Sequence, residues 1–158
     1  MCIICLVNSS HFSTPIVGVF APGRCSNRTK CGQGDSAVEG YLVAHNALLA
    51  HAAAVSLYRS EYASGGGVIG ITLNIDWAYP LDPSSTADQA AAKRRNEFTF
   101  SWFADPIFFG IYPLSMRNGA GDRCAKTLGY VEWEELKQSY SLEIVLCIAL
   151  KRYVCCFY

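Results

Sequence analysis

The side chains able to do chemistry are eight cysteines, three histidines and thirteen carboxylates in a chain of 158 residues. Cys2-x-x-Cys5 has the spacing of half a tetrahedral zinc site. The other half needs a second close pair, and adjacent Cys155-Cys156 is a poor one, so no metal is expected. Cys25 and Cys31 stand close together in a Gly-rich stretch. His45 and His51 fall within one run of good helix formers and read as packing or hydrogen-bonding residues of a buried helix. Gly65-Gly66-Gly67 is not followed by Lys-Ser/Thr, so it reads as a helix stop and not a phosphate loop. Asn8-Ser9-Ser10 and Asn27-Arg28-Thr29 are glycosylation sequons, meaningful in a secreted chain. None of these motifs calls for a cofactor.

Elements must position these groups. The apolar share is 51% and the net charge zero, which supports a packed core and argues against nucleic acid as a partner, since phosphate binding needs an excess of Lys and Arg. Lys93-Arg94-Arg95 reads as a solvated helix face. The length suits one ordinary domain and is short of the roughly 250 residues of a closed (β/α)8 barrel. Met1–Val7 lacks a basic flank and is short for a signal sequence, and Ile144–Leu150 is far below the ~20 residues of a membrane span. No membrane partner and no targeting segment are therefore expected.

Three zones follow: residues 1–16 without a clear period, 17–127 with well-formed elements, and 128–158 divergent again. Ser36-x-x-Glu39 has the pattern of a capping box opening a helix from about Tyr41 to Tyr62. Leu42, Leu49, Ala53 and Leu57 share one face of it, widened by Leu48, Val55 and Tyr58. Val68–Leu73 is a β-branched apolar run and predicts a strand buried on both faces, as in a parallel sheet. Thr86-x-x-Gln89 patterns a second capping box, and its helix is expected to run to about Phe103, where Asp105-Pro106 breaks it. Helix, buried strand, loop and helix make about one and a half βα units, which indicates an α/β fold without choosing between a barrel and an open sheet.

Several segments, in order, resemble glycoside hydrolase family 1, most closely its plant-type β-glucosidases. They are Gly18-Val-Phe-Ala-Pro-Gly-Arg-Cys-Ser26, Tyr41-Leu-Val-Ala-His-Asn46, Leu49-Ala-His-Ala-Ala-Ala-Val55, Ile69-Gly-Ile-Thr-Leu-Asn74 with Asp76-Trp77 and Pro80, and Trp102-Phe-Ala-Asp-Pro-Ile-Phe-Phe-Gly110 with Tyr112-Pro113 and Gly121-Asp-Arg123. The resemblance implies a partial (β/α)8 TIM barrel, about the fourth helix through the fifth βα unit, with Val68–Leu73 as the fifth strand. It implies a retaining glycosidase that acts on a small-molecule glycoside and uses two carboxylates about 5–5.5 Å apart.

Neither carboxylate can be assigned in this chain. The acid/base Glu belongs to an Asn-Glu-Pro motif, which occurs nowhere; the corresponding stretch reads Val7-Asn8-Ser9-Ser10-His11-Phe12. The nucleophile belongs to strand seven, beyond residue 158. No catalytic residue is therefore named, and the chain is expected to be inactive by itself. The alternatives are a non-catalytic glycoside-binding or interaction protein, and an unstable product without function. The resemblance also implies that Phe20 and Asp76 border the aglycone site, that Cys25 and Cys31 form a loop disulfide, and that the compartment is secretory or vacuolar. Trp77 is expected to be a core residue.

Overall fold

The computed structural model describes residues 2–8, 22–119, 145–150 and 153–157. Strand β1 is Cys2–Asn8 and helix α1 is Glu39–Glu61. Strand β2 is Val68–Ile75. Helix α2, Thr86–Asn96, passes through one π turn, Glu97–Ser101, into α3, Trp102–Phe109. A short helix α4, Leu114–Gly119, and strands β3, Val145–Leu150, and β4, Tyr153–Phe157, complete the described chain.

The sheet order is β1-β2-β3-β4. β2 is parallel to both neighbours, with Cys5 opposite Ile71 and Ile71 opposite Leu146. β4 runs antiparallel to β3. The buried central strand is thus as expected. The strands on either side of it lie in segments that the sequence shows without a period. Cys2–Val7 is an uninterrupted apolar run without polar alternation, so no strand period marks it in the sequence.

Along β2, Ile71, Leu73 and Ile75 alternate onto one face and form a core with Ala44 and Leu48 of α1 and Phe103, Ala104 and Ile107 of α3. Ile71 and Leu73 are essentially inaccessible to water. Burying one such side chain contributes about 1.5–3 kcal/mol relative to exposing it. The opposite face carries Gly70 and Thr72, also buried.

Four local expectations are corrected. The buried face of α1 is Ala44, His45, Leu48, His51, Ala52 and Val55, whereas Leu57 is 58% exposed and Ala53 is exposed. This helix is apolar nearly all round, so spacing alone does not choose a face, and small alanines allow the closer approach to the sheet. Ser36-x-x-Glu39 forms no capping box: Ser36 exchanges hydrogen bonds with Ser26, and Glu39 pairs with Arg24. The second box does not form either: Ser85, not Thr86, is the cap and accepts from the Asp88 amide, while Gln89 donates to the Pro83 carbonyl. Asp105-Pro106 does not end the helix. The π turn just before it changes the hydrogen-bond register, Pro106 sits buried inside α3, and Gly110 at φ 67° ends the helix instead.

Candidate functional site

The C-terminal end of β2 opens onto a rim. Alternation along the strand, carried one residue beyond Ile75, puts Asp76 on the side of Gly70 and Thr72, away from the helices. Asp76 is exposed there. Trp77 follows and corrects the expectation of a core residue: it is 48% exposed, with one edge against Phe100 at a centroid distance of 6.4 Å. Asn96, at the end of α2, ties down the next residue, Ala78. The Asn96 carboxamide accepts from the Ala78 amide at 2.8 Å and donates to the Ala78 carbonyl at 3.0 Å. Nothing in the sequence signals that role, since Asn96 sits within a polar helical run.

Between this loop and α2 lies an open groove of about 470 Å³, lined in part by Trp77, Tyr79, Gln89, Lys93 and Glu97. Lys93 approaches Glu97 one turn on at 3.8 Å. Further along, Asp82 accepts from the amide and hydroxyl of Ser84, and these bonds hold its carboxyl below the usual carboxylate range. Burial pushes the Asp105 carboxyl upward, partly opposed by a hydrogen bond from Ser101.

A second construction precedes α1. Cys25 and Cys31 are joined as a disulfide with Cα atoms 5.5 Å apart, both buried. Their loop is closed by the Cys25 amide donating to Gln33 and by Arg28, which donates to the carbonyls of Cys25 and Gly34. Gly34 has φ +119°, and a Cβ there would lie 2.6 Å from the Cys25 amide nitrogen, so backbone closeness dictates glycine. Arg24 fastens the loop to the start of α1 through Glu39, its Nε donating to both carboxylate oxygens at 3.1 Å. The hydrogen bond from Arg24 is the main reason the Glu39 carboxyl lies below its ordinary value.

The histidines are buried in α1. His45 Nδ1 lies 3.0 Å from the Tyr112 hydroxyl, and burial lowers its pKa. His51 is 1% exposed, and burial lowers it to about 4. Phe20 lies outside the described residues, so the structure brings Asp76 and Trp77 to the rim without locating Phe20. Among the described residues no three His, Cys, Asp or Glu side chains cluster as metal ligands.

With this geometry in view, a sequence model of Glycosyl hydrolase family 1 matches residues 4–155. The chain belongs to glycosyl hydrolase family 1. The match runs past both ends of the block 17–127 and takes in most of β1, all of β3 and part of β4. Among curated relatives, Beta-glucosidase 16 of Arabidopsis thaliana is 48% identical over 128 residues, covering 79% of this chain and 25% of that protein. Beta-glucosidase 1B of Phanerodontia chrysosporium is 50% identical over 107 residues, covering 67% of this chain and 20% of the relative. A rice β-glucosidase structure superposes with a TM-score of 0.80 at 39% identity, covering 93% of this chain and 31% of that one. A β-glucosidase from the fungus Humicola insolens, solved in complex with glucose, gives a TM-score of 0.75 at 42% identity, covering 88% and 30%. The chain therefore spans about a fifth to a quarter of the curated relatives it matches, and it is part of a (β/α)8 fold without forming a complete barrel. The antiparallel β4 departs from the all-parallel pattern of such a barrel.

Proposed function

We propose that these residues form the sector from the fourth to the sixth strand of a retaining β-glycosidase barrel, with β1, β2 and β3 in those places. In this reading the sector supplies part of the aglycone-side wall through Phe20 and Asp76. The 158 residues by themselves do not hydrolyse a glycoside. One observation carries the reading. In a (β/α)8 enzyme the chemistry stands at the C-terminal ends of the strands. Here the residues that follow β1, in the place of strand four, are Ser9-Ser10, so the acid/base carboxylate that retention requires there is missing, and Asp76 after β2 stands in the place of neither catalytic group.

The chemistry follows from that missing group. A retaining enzyme protonates the leaving oxygen with one carboxyl group while the other attacks the anomeric carbon. Asp76 alone can accept a hydrogen bond from a sugar hydroxyl and can orient it. Without a partner it cannot complete both steps, and the missing acid alone lowers the rate by 10²–10⁴, an order-of-magnitude figure. Trp77, about half exposed beside Asp76, suits the apolar face of a sugar ring or an aryl aglycone.

The test is a calorimetric titration of the 158-residue chain with an aryl β-glucoside. The expected result is saturable heat that Asp76→Ala weakens at least several-fold. Heat unchanged by Asp76→Ala, or no heat at all, contradicts the aglycone-side assignment.

A further inference from the structure

Two strands near the end of the chain bring cysteines into register. β4 runs antiparallel on β3 and sets Cys156 directly opposite Cys147. Cys155, the neighbour of Cys156, stands opposite Ile148 instead. Directly opposed residues of an antiparallel pair share one face of the sheet, and successive residues alternate between faces. The register therefore selects Cys156, and not the adjacent Cys155, as the partner of Cys147. We propose that Cys147 and Cys156 are a redox-sensitive disulfide site whose bond latches β4 onto β3.

Distance carries the assignment. Opposed residues of an antiparallel ladder have Cα atoms about 4.5 or about 5.5 Å apart, according to the hydrogen bonding of the pair. Both separations lie within the roughly 4.4–6.8 Å that a disulfide spans. In the bonded pair Cys25–Cys31 the separation is 5.5 Å. The other described cysteines are out of reach. Cys25 and Cys31 hold each other. Cys2 and Cys5 lie on β1, opposite Val68 and Ile71, and β2 stands between them and β3. Two strand spacings make about 9.5 Å, more than a disulfide bridges. Among the described residues, Cys147 and Cys156 are the one pair of cysteines opposed in a ladder.

β2 occupies one edge of β3, and β4 occupies the other. In a closed (β/α)8 barrel that second edge belongs to a further parallel strand. A Cys147–Cys156 bond fixes the antiparallel strand there, and reduction frees it. The site rests on the register of β3 and β4 alone and is independent of the catalytic reading of the sector. The bond forms by exchange with a small-molecule disulfide such as oxidised glutathione. The thiolate of one cysteine attacks a sulfur of the oxidant, whose S–S bond breaks and releases one thiol. The thiolate of the other cysteine attacks the resulting mixed disulfide, forms the protein S–S bond and expels the second thiol. The two cysteine protons end on the departing thiolates, and two electrons pass from the cysteine pair to the oxidant.

The test folds the 158-residue chain with excess oxidised glutathione, alkylates the remaining free thiols and digests with trypsin. Cleavage after Lys151 and Arg152 separates the peptide carrying Cys147 from the one carrying Cys155 and Cys156. The two peptides should be found linked in the wild type and in Cys155→Ser, and unlinked in Cys147→Ser and Cys156→Ser. Light and heavy isotopic chains mixed before oxidation should give no light–heavy link. Amide hydrogen exchange across Val145–Leu150 should be at least several-fold slower in the oxidised wild type than in oxidised Cys156→Ser, which keeps the Cys25–Cys31 pair. An unlinked wild type, whether Cys25 and Cys31 are bonded or free, overturns the proposal. So does a link that persists in Cys156→Ser, a light–heavy link, or equal exchange in those two oxidised chains.

Discussion

Gly34 shows how tightly the loop before α1 is specified. Its φ of +119° and the 2.6 Å approach of a would-be Cβ to the Cys25 nitrogen leave no room for alanine. Gly34→Ala should destabilise the loop by about 1–3 kcal/mol. It should also make Cys25–Cys31 easier to reduce, which thiol titration against a graded dithiol buffer reads directly. His51 gives a pH dependence of defined sign. Its pKa falls from 6.5 to about 4 through burial, so the folded state holds it neutral while the unfolded state still binds a proton. Its contribution is complete above pH 6.5 and is lost as pH falls toward 4, with His45 acting in the same direction. The loss amounts to roughly 2–4 kcal/mol. Urea unfolding at pH 7 and at pH 5 should show it, and His51→Leu should flatten the dependence. The sequence indicates that both histidines are buried. It does not indicate Asn96 or the Arg24–Glu39 pair, since each joins residues fifteen or more positions apart through surface-type side chains.

Among the elements, α2 and α3 form one helical stretch through a π turn, and its start and interior both differ from the simplest sequence pattern. Ser85 caps it, and Ser85→Ala should cost about 1 kcal/mol, measurable as a lower thermal midpoint. Thr86→Ala should change it little, which separates the true cap from its neighbour. β2 was legible because a short β-branched apolar run directly after Gly65-Gly66-Gly67 has few other readings. β1 and β3 were not, since an apolar run of six or seven residues carries no period that separates a strand from other structure. The face of α1 was illegible for a related reason: apolar residues surround it, so packing against β2 decides the face and spacing does not.

For the molecule as a whole, β1 and β4 are edge strands among the described residues, and Leu57, Leu81, Phe109 and Leu114 are 58%, 95%, 70% and 61% exposed. Open edges and exposed apolar side chains favour association. The 158-residue chain should sediment with a concentration-dependent increase in mass, and a monodisperse species with a cooperative melt contradicts this. The family was legible from motif order, whereas the extent of the match beyond residues 17–127 was not, because the flanking runs carry no motif of their own. The proposed reading of the sector is that it lacks the acid/base carboxylate after β1 and binds a glycoside without turning it over. The most direct test is the initial rate of aryl alcohol release from an aryl β-glucoside by the purified 158-residue chain and by its Asp76→Asn variant. Both rates should equal the buffer rate. Enzyme-proportional release by the wild type that Asp76→Asn abolishes would contradict it.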